Sequence, residues 1–237
     1  MLGTQPGSHW LVGKLLERSP DNLTITNYSG TLVRGFSAEK LEFKNKGTHL
    51  FIDNLNGDYS IFSLLNKRID ITQLKAKKVT VVITPKKKDP NKQPALPEFS
   101  APLPITINHL MIDQLELKVK NKTYFLNQVT TQLRMQKDQL NLRDLTTKFK
   151  SADVNADIML KFSAPFPISA QGTYEIPKTF TASNILIDGV LNQYNLSLNA
   201  VSNIKNIPPF TGDLKATGDF YGLKISKIDL NILEGDV

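Results

Sequence analysis

The sequence predicts an all-β protein, mainly antiparallel, with a curled sheet. From Asn22 onward, apolar and polar residues alternate with period two, as in "NLTITNYSGTLVRGF", and turn signals such as Ser29-Gly30 punctuate the runs. A repeated unit, Φ-x-Φ-x-x-Φ-x-Φ with Φ apolar, adds the curl. Ile69, Ile71, Leu74, Ala76, Val79, Val81 and Ile83 recur position for position, 36 residues on, as Ile105, Ile107, Leu110, Ile112, Leu115, Leu117 and Val119. Side chains alternate across a strand, so two intervening residues instead of one turn the second half of the unit to the other face. A single aliphatic face survives only where each x-x step is a bulge or bend that restores the phase. Matching bends in neighbouring strands curl a sheet, and a curled sheet with an aliphatic inner face is a trough. A strongly bent β-sandwich or a β-helix satisfies the same spacing.

Taken in order, "GSHWLVGKLLERSP" (7–20) reads as a short helix. Ser8 is its N-cap, Trp10, Leu11, Leu15 and Leu16 fall at near-helical spacing, and Pro20 ends it. Residues 1–20 form either a helix packed on the core or an amphipathic element close to a membrane, with Trp10, Leu11 and Leu15 as the membrane-proximal side chains. Residues 21–83 are a first β segment. It is interrupted at "YSIFSLLNKR", where Ile61, Phe62, Leu64 and Leu65 predict a small helical turn near residues 60–66. Residues 84–104 hold six prolines and four lysines. Proline cannot donate to a ladder, so this stretch is a linker or surface loop, either separating two domains or, as the resumed pattern favours, joining two parts of one sheet. Residues 105–237 continue the β pattern. Shorter echoes of the unit occur at Phe36, Ala38, Leu41 and Phe43, at Leu140, Leu142 and Leu145, and at Leu223, Ile225, Ile228 and Leu230. At roughly 12–15 residues per strand and turn the chain yields about 12–16 strands, and at ~4.8 Å each these make a trough of about 60–75 Å.

Composition narrows the function classes. The chain has 237 residues, no cysteine and a net charge of +7. Residues 1–92 carry 15 Lys/Arg against 8 Asp/Glu, and the remainder 14 against 14, so the excess lies wholly in the first part. Such a bias suits nucleic acid, an anionic membrane surface or a plain solvated face. The lysines at 86–88 and 92 have no interleaved aromatics to stack bases, which argues against nucleic acid. No run approaches the ~18 apolar residues of a membrane span. His9, His49 and His109 are scattered, so no metal site is expected, and no phosphate loop or nucleophile elbow occurs. Ser37-Ala38-Glu39-Lys40 matches S-x-x-K, but its surroundings read as strand and the partner motifs are missing. Four N-x-[ST] strings, at Asn22, Asn27, Asn121 and Asn195, are expected by accident in an Asn-rich chain. The chain is read as a non-enzyme without cofactors.

The order of these pieces resembles a known family. A capped helix "GSHWLV…LLERSP" leads into "LTITNYSGTLVRGFSAEKLEF" and "LNGDYSIFSLLNKRIDITQLKAKKVTVVI". A proline-rich gap follows, closed by "LPITINHLMIDQLEL". This is similar to the N-terminal part of the TamB family of AsmA-like proteins, over roughly residues 3–120. The resemblance implies a periplasmic protein of Gram-negative bacteria, anchored by an N-terminal inner-membrane helix. It implies a U-shaped "β-taco" with an apolar groove, associated with moving phospholipid between inner and outer membranes. An alternative role is a scaffold for outer-membrane protein assembly with the barrel protein TamA, and a further one is a closed β-sandwich binding module. The chain is then expected to be a fragment, begun after the membrane helix and stopped within a further strand at "LNILEGDV", so the TamA-contacting region lies beyond it.

A lipid carrier needs no catalytic group. Exposing two acyl chains of about 16 carbons to water costs on the order of 20 kcal/mol or more, at ~0.8 kcal/mol per CH₂. What it needs is a shielded aliphatic surface. Ile69, Ile71, Leu74, Val79, Val81 and Ile83, with Ile105, Ile107, Leu110, Ile112, Leu115, Leu117 and Val119, are the candidates for that surface, and phospholipid is the expected partner.

Overall fold

Period-two alternation becomes strand throughout. The structure is a computed structural model that describes residues 22–31, 35–45, 47–60, 63, 66–84, 100–119, 122–202, 208–219 and 222–233, and these hold fourteen β-strands. The chain divides into two compact units, Met1–Asn91 with Leu103–Leu133, and Lys92–Pro102 with Arg134–Val237. The predicted N-terminal helix, with Trp10, Leu11 and Leu15, lies outside the described residues. So do residues 61, 62, 64 and 65 of the predicted helical turn. Around that point the Ser63 carbonyl accepts from the Asn66 N–H at 3.0 Å and the Arg68 N–H at 3.2 Å, turning the chain into the next strand. Most of the proline-rich stretch, residues 85–99, is also outside.

In the first unit, β1 (Leu23–Thr26), β3 (Gly35–Asn45), β4 (Thr48–Ser60), β5 (Ile69–Ile83), β6 (Ile105–Val119) and β7 (Lys122–Gln136) lie side by side in that order, and the short β2 (Ser29–Thr31) also pairs with β3. β7 starts in this unit and ends in the second. Adjacent strands from β1 to β5 are antiparallel. β5 and β6 are parallel. The 36-residue repeat is thereby explained. Ile69 pairs with Ile105, Ile71 with Ile107, Leu74 with Leu110, Ala76 with Ile112, Val79 with Leu115, Val81 with Leu117 and Ile83 with Val119. A parallel pair aligns chain direction, so an identical pattern on both strands puts like residues side by side.

The second unit is a meander. β8 (Gln139–Phe149), β9 (Ala152–Lys161), β10 (Pro167–Ile176), β11 (Phe180–Val190), β12 (Gln193–Ser202), β13 (Phe210–Gly218) and β14 (Leu223–Ile232) each pair antiparallel with the next. The predicted all-β, mainly antiparallel class matches.

The x-x steps behave as phase restorers. Glu39 on β3, Asn54 on β4, Lys77 on β5 and Asp113 on β6 all drop out of the ladder at one level, while pairing resumes in unchanged register on both sides. Asn54 has φ 51°, a left-handed conformation that asparagine tolerates better than most residues. Thr72 and Asn108 form a second such step between β5 and β6, and there β5 slips by one residue against β4. In the second unit the ladder shifts at Leu142/Leu145 on β8, where Asp144 has φ 51°, and again opposite Ser226 on β14.

Candidate functional site

Because the bends keep phase, the aliphatic residues of the first unit align in rows running across its strands. Leu23, Phe43, Leu50, Val81 and Leu117 make one row, and Ile25, Leu41, Ile52, Val79 and Leu115 the next. Beyond the bend, Ala38, Leu55, Ala76 and Ile112 follow, then Phe36, Gly57, Leu74 and Leu110. Leu55, Ala76 and Val79 are the buried centre, and Phe36, Leu41, Leu50, Ile52, Leu74, Val81, Ile112 and Leu115 pack around them half-buried.

All thirteen groove candidates thus fall on β5 and β6 and face the same way, pair by pair. Val79 and Ile107 are buried, at 7% and 6% exposure, and Ile83 is exposed at 38%. The other ten are half-buried. The pattern is one of side chains shielded by their lateral neighbours, with part of each surface still open. Sequence reasoning named one column of this face and left out its neighbours Leu50, Ile52 and Leu55, although β4 carries the same period-two signal.

Gly57 fits the face by leaving room for a ring. A Cβ there would lie 2.5 Å from Phe36 Cε1 and 3.0 Å from Leu74 Cδ1. The missing side chain lets Phe36 cover the strand and keep the apolar row continuous.

The opposite face is polar and tied by ion pairs. Glu116 on β6 accepts from Lys78 Nζ at 2.9 Å, across the parallel pair, and from Lys118 Nζ at 3.0 Å. Thr80 Oγ1 adds a 3.4 Å contact. Glu116 is only 6% exposed, yet it is covered by two lysine stems and not by deep protein. Hydrogen bonds from Lys78 and Lys118 hold its carboxyl below the usual carboxylate range. Along the line of bends, Glu39, Lys40, Asp53, Asn54, Lys77, Lys78, Asp113 and Gln114 border a depression of about 520 Å³. Its charges alternate in sign, and nothing in it converges on a single reacting atom.

The second unit repeats the aliphatic face with smaller residues. Leu142, Ile158, Ala170, Ile187, Leu196, Ala216 and Ile225 form one row, and Val154, Tyr174, Ala182, Ala200, Gly212 and Leu230 another. The bulge on β8 is pinned by Asp157, whose Oδ1 accepts from the Asp144 N–H at 2.9 Å and whose Oδ2 accepts from Gln171 Nε2 at 3.2 Å. Those two bonds, the backbone one first, depress the Asp157 carboxyl below its ordinary value.

The S-x-x-K string is not placed on a helix. Ser37 and Lys40 of the S-x-x-K string lie on β3, and the Ser37 hydroxyl instead meets that of Ser29 at 2.6 Å. His49 and His109 are both exposed, on β4 and β6. Among the described residues no group of three or more His, Asp or Glu is placed to hold a metal ion. None of the helices among the described residues is long and apolar enough to cross a membrane.

The family described as TamB, N-terminal domain, matches residues 1–165. No solved structure matches the chain.

Proposed function

The chain belongs to the TamB N-terminal domain family, a family of the bacterial envelope, and from that premise we propose that its aliphatic face carries phospholipid acyl chains through the periplasm, in a protein anchored in the inner membrane. The face is the wall of a U-shaped groove, and no catalytic group or cofactor takes part. The observation that carries this reading is the in-register alignment of aliphatic pairs across β5 and β6, extended through β4 and β3 and left mostly half-buried. A strand-by-strand aliphatic row gives an acyl chain continuous contact as it moves from one strand to the next. Sliding then conserves buried apolar area, so no single step costs more than about one CH₂ of exposure, ~0.8 kcal/mol.

Photo-crosslinking tests it. A benzophenone side chain at Leu74, Val81 or Leu117 is expected to capture phospholipid in growing bacteria, detected by mass spectrometry. The same group at Lys75 or Lys118, on the opposite face, is expected to capture none. Equal capture on both faces, or none on the aliphatic face of a folded protein, sinks the proposal. Capture of polypeptide at Leu74, Val81 and Leu117 would favour a scaffold acting with TamA instead.

A further inference from the structure

The first unit exposes its large apolar side chains unevenly. Among its described residues these are Phe43, Ile83, Tyr124 and Phe125, at 37–44% exposure. All four sit at one strand end. Phe43 is near the end of β3, Ile83 ends β5, and Tyr124 and Phe125 are the third and fourth residues of β7, which starts three residues after β6 ends. The turn joining β3 to β4 is tied to the same end, since the Thr84 N–H donates to the Gly47 carbonyl at 2.8 Å. From β3 to β7 this margin spans four strand spacings, about 19 Å.

Lysines accompany the rings. Lys44 follows Phe43 and is half exposed, with Glu42 at 2.7 Å, and Lys122 precedes Tyr124 on β7 and is exposed. Rings and aliphatics with lysines beside them, gathered on one margin, match the chemistry of a membrane interface. Aromatic and aliphatic groups enter the headgroup layer there, while lysine stems lie along it and their ammonium groups meet phosphate.

We propose that this strand end of the first unit, with Phe43, Ile83, Tyr124, Phe125, Lys44 and Lys122 at its margin, docks on the surface of an anionic phospholipid bilayer. The inference goes beyond the acyl-chain reading, because docking depends on vesicle contact whatever the aliphatic face holds. It also gives that face a neighbour, since Phe43 and Ile83 are outermost members of the aliphatic rows at this end.

Tryptophan fluorescence on the whole 237-residue chain provides the test. Trp10 is replaced by Phe, and one reporter is placed as Phe125→Trp or, at the opposite strand end, as Thr106→Trp. Vesicles contain phosphatidylglycerol and phosphatidylethanolamine at one to three, or phosphatidylcholine alone. The expected result is a blue shift of the Phe125→Trp reporter with the anionic vesicles only and no shift for Thr106→Trp. Adding Lys44→Gln and Lys122→Gln is expected to raise the lipid concentration for half-maximal shift about tenfold, and 0.5 M salt to act similarly. Circular dichroism confirms that each variant is folded. An unshifted Phe125→Trp, an equal shift at both positions, or an equal shift with phosphatidylcholine overturns the proposal. Vesicle binding that leaves Phe125→Trp unshifted counts in the same way, because contact then runs through another part of the chain.

Discussion

Glu116→Gln isolates the ion-pair clamp across the parallel β5–β6 pair. The substitution keeps the size and planarity of the side chain and removes its charge. Lys78 and Lys118, at 2.9 and 3.0 Å from the carboxylate, then lose the charge they share. Two charge-assisted hydrogen bonds to a covered group suggest several kcal/mol, but the lysine side chains are 37% and 43% exposed. Water screens them, so the expected loss is about 1–2 kcal/mol at neutral pH. The pH dependence carries the sharper information. The lysines hold the folded carboxyl below its ordinary value near 4.5, so the folded state binds its proton more weakly than the unfolded state. The clamp's contribution is therefore complete above about pH 5 and disappears as pH falls through the depressed folded value. Urea unfolding of both proteins at pH 7, 5, 4 and 3.5 measures this directly. The stability gap is expected to be widest at pH 7 and 5 and to narrow below 4.5. A gap that stays constant across the series, or is absent at pH 7, would refute the clamp.

Three other substitutions probe packing and bends. Gly57→Ala places a methyl 2.5 Å from the Phe36 ring, and the strain should cost about 1–3 kcal/mol by thermal or urea unfolding; a Phe36→Leu partner change should recover part of it. Asp157→Ala frees the Asp144 N–H that it accepts from at 2.9 Å, for a loss of about 1 kcal/mol and faster amide exchange at Asp144. Ala182→Leu inserts three carbons at a position with 0% exposure, and a loss of about 1–3 kcal/mol is expected from overpacking in the second unit.

How much of this was legible in the sequence differs by region. Long aliphatic side chains at Φ positions made β5 and β6 readable to the residue, and the two x-x steps marked Thr72/Asn108 and Lys77/Asp113 as the places where pairing lapses. The sense of the pairing was not legible. A 36-residue recurrence fits neighbouring parallel strands and also antiparallel strands farther apart, and only the chain path between them decides. The rows of the second unit were mostly hidden for another reason. Ala170, Ala182, Ala200, Gly212 and Ala216 occupy the aliphatic face, but small residues contribute little apolar contrast, so the alternation fades although the geometry persists. The bulge at Asn184, with φ 54°, had only an asparagine to announce it. On β4 the unit closes on Gly57, which adds no apolar contrast, and so Leu50, Ile52 and Leu55 did not register as one face.

The parallel pairing of β5 with β6 also bears on how the chain reaches its native state. Each contact in that ladder joins residues 36 apart, whereas the meander of β8 to β14 is closed by short connections between successive strands. Closing a loop costs entropy that rises as the logarithm of its length, ~0.6 kcal/mol per doubling. Local hairpins therefore zip early, and a ladder that must wait for a distant strand forms late. Until residues 105–119 arrive, β5 has one edge unsatisfied, with Val79, Val81 and Ile83 alongside it. During synthesis from the N-terminus, that interval is when β5 is most open to capture by a chaperone, or by a β5 of another nascent chain.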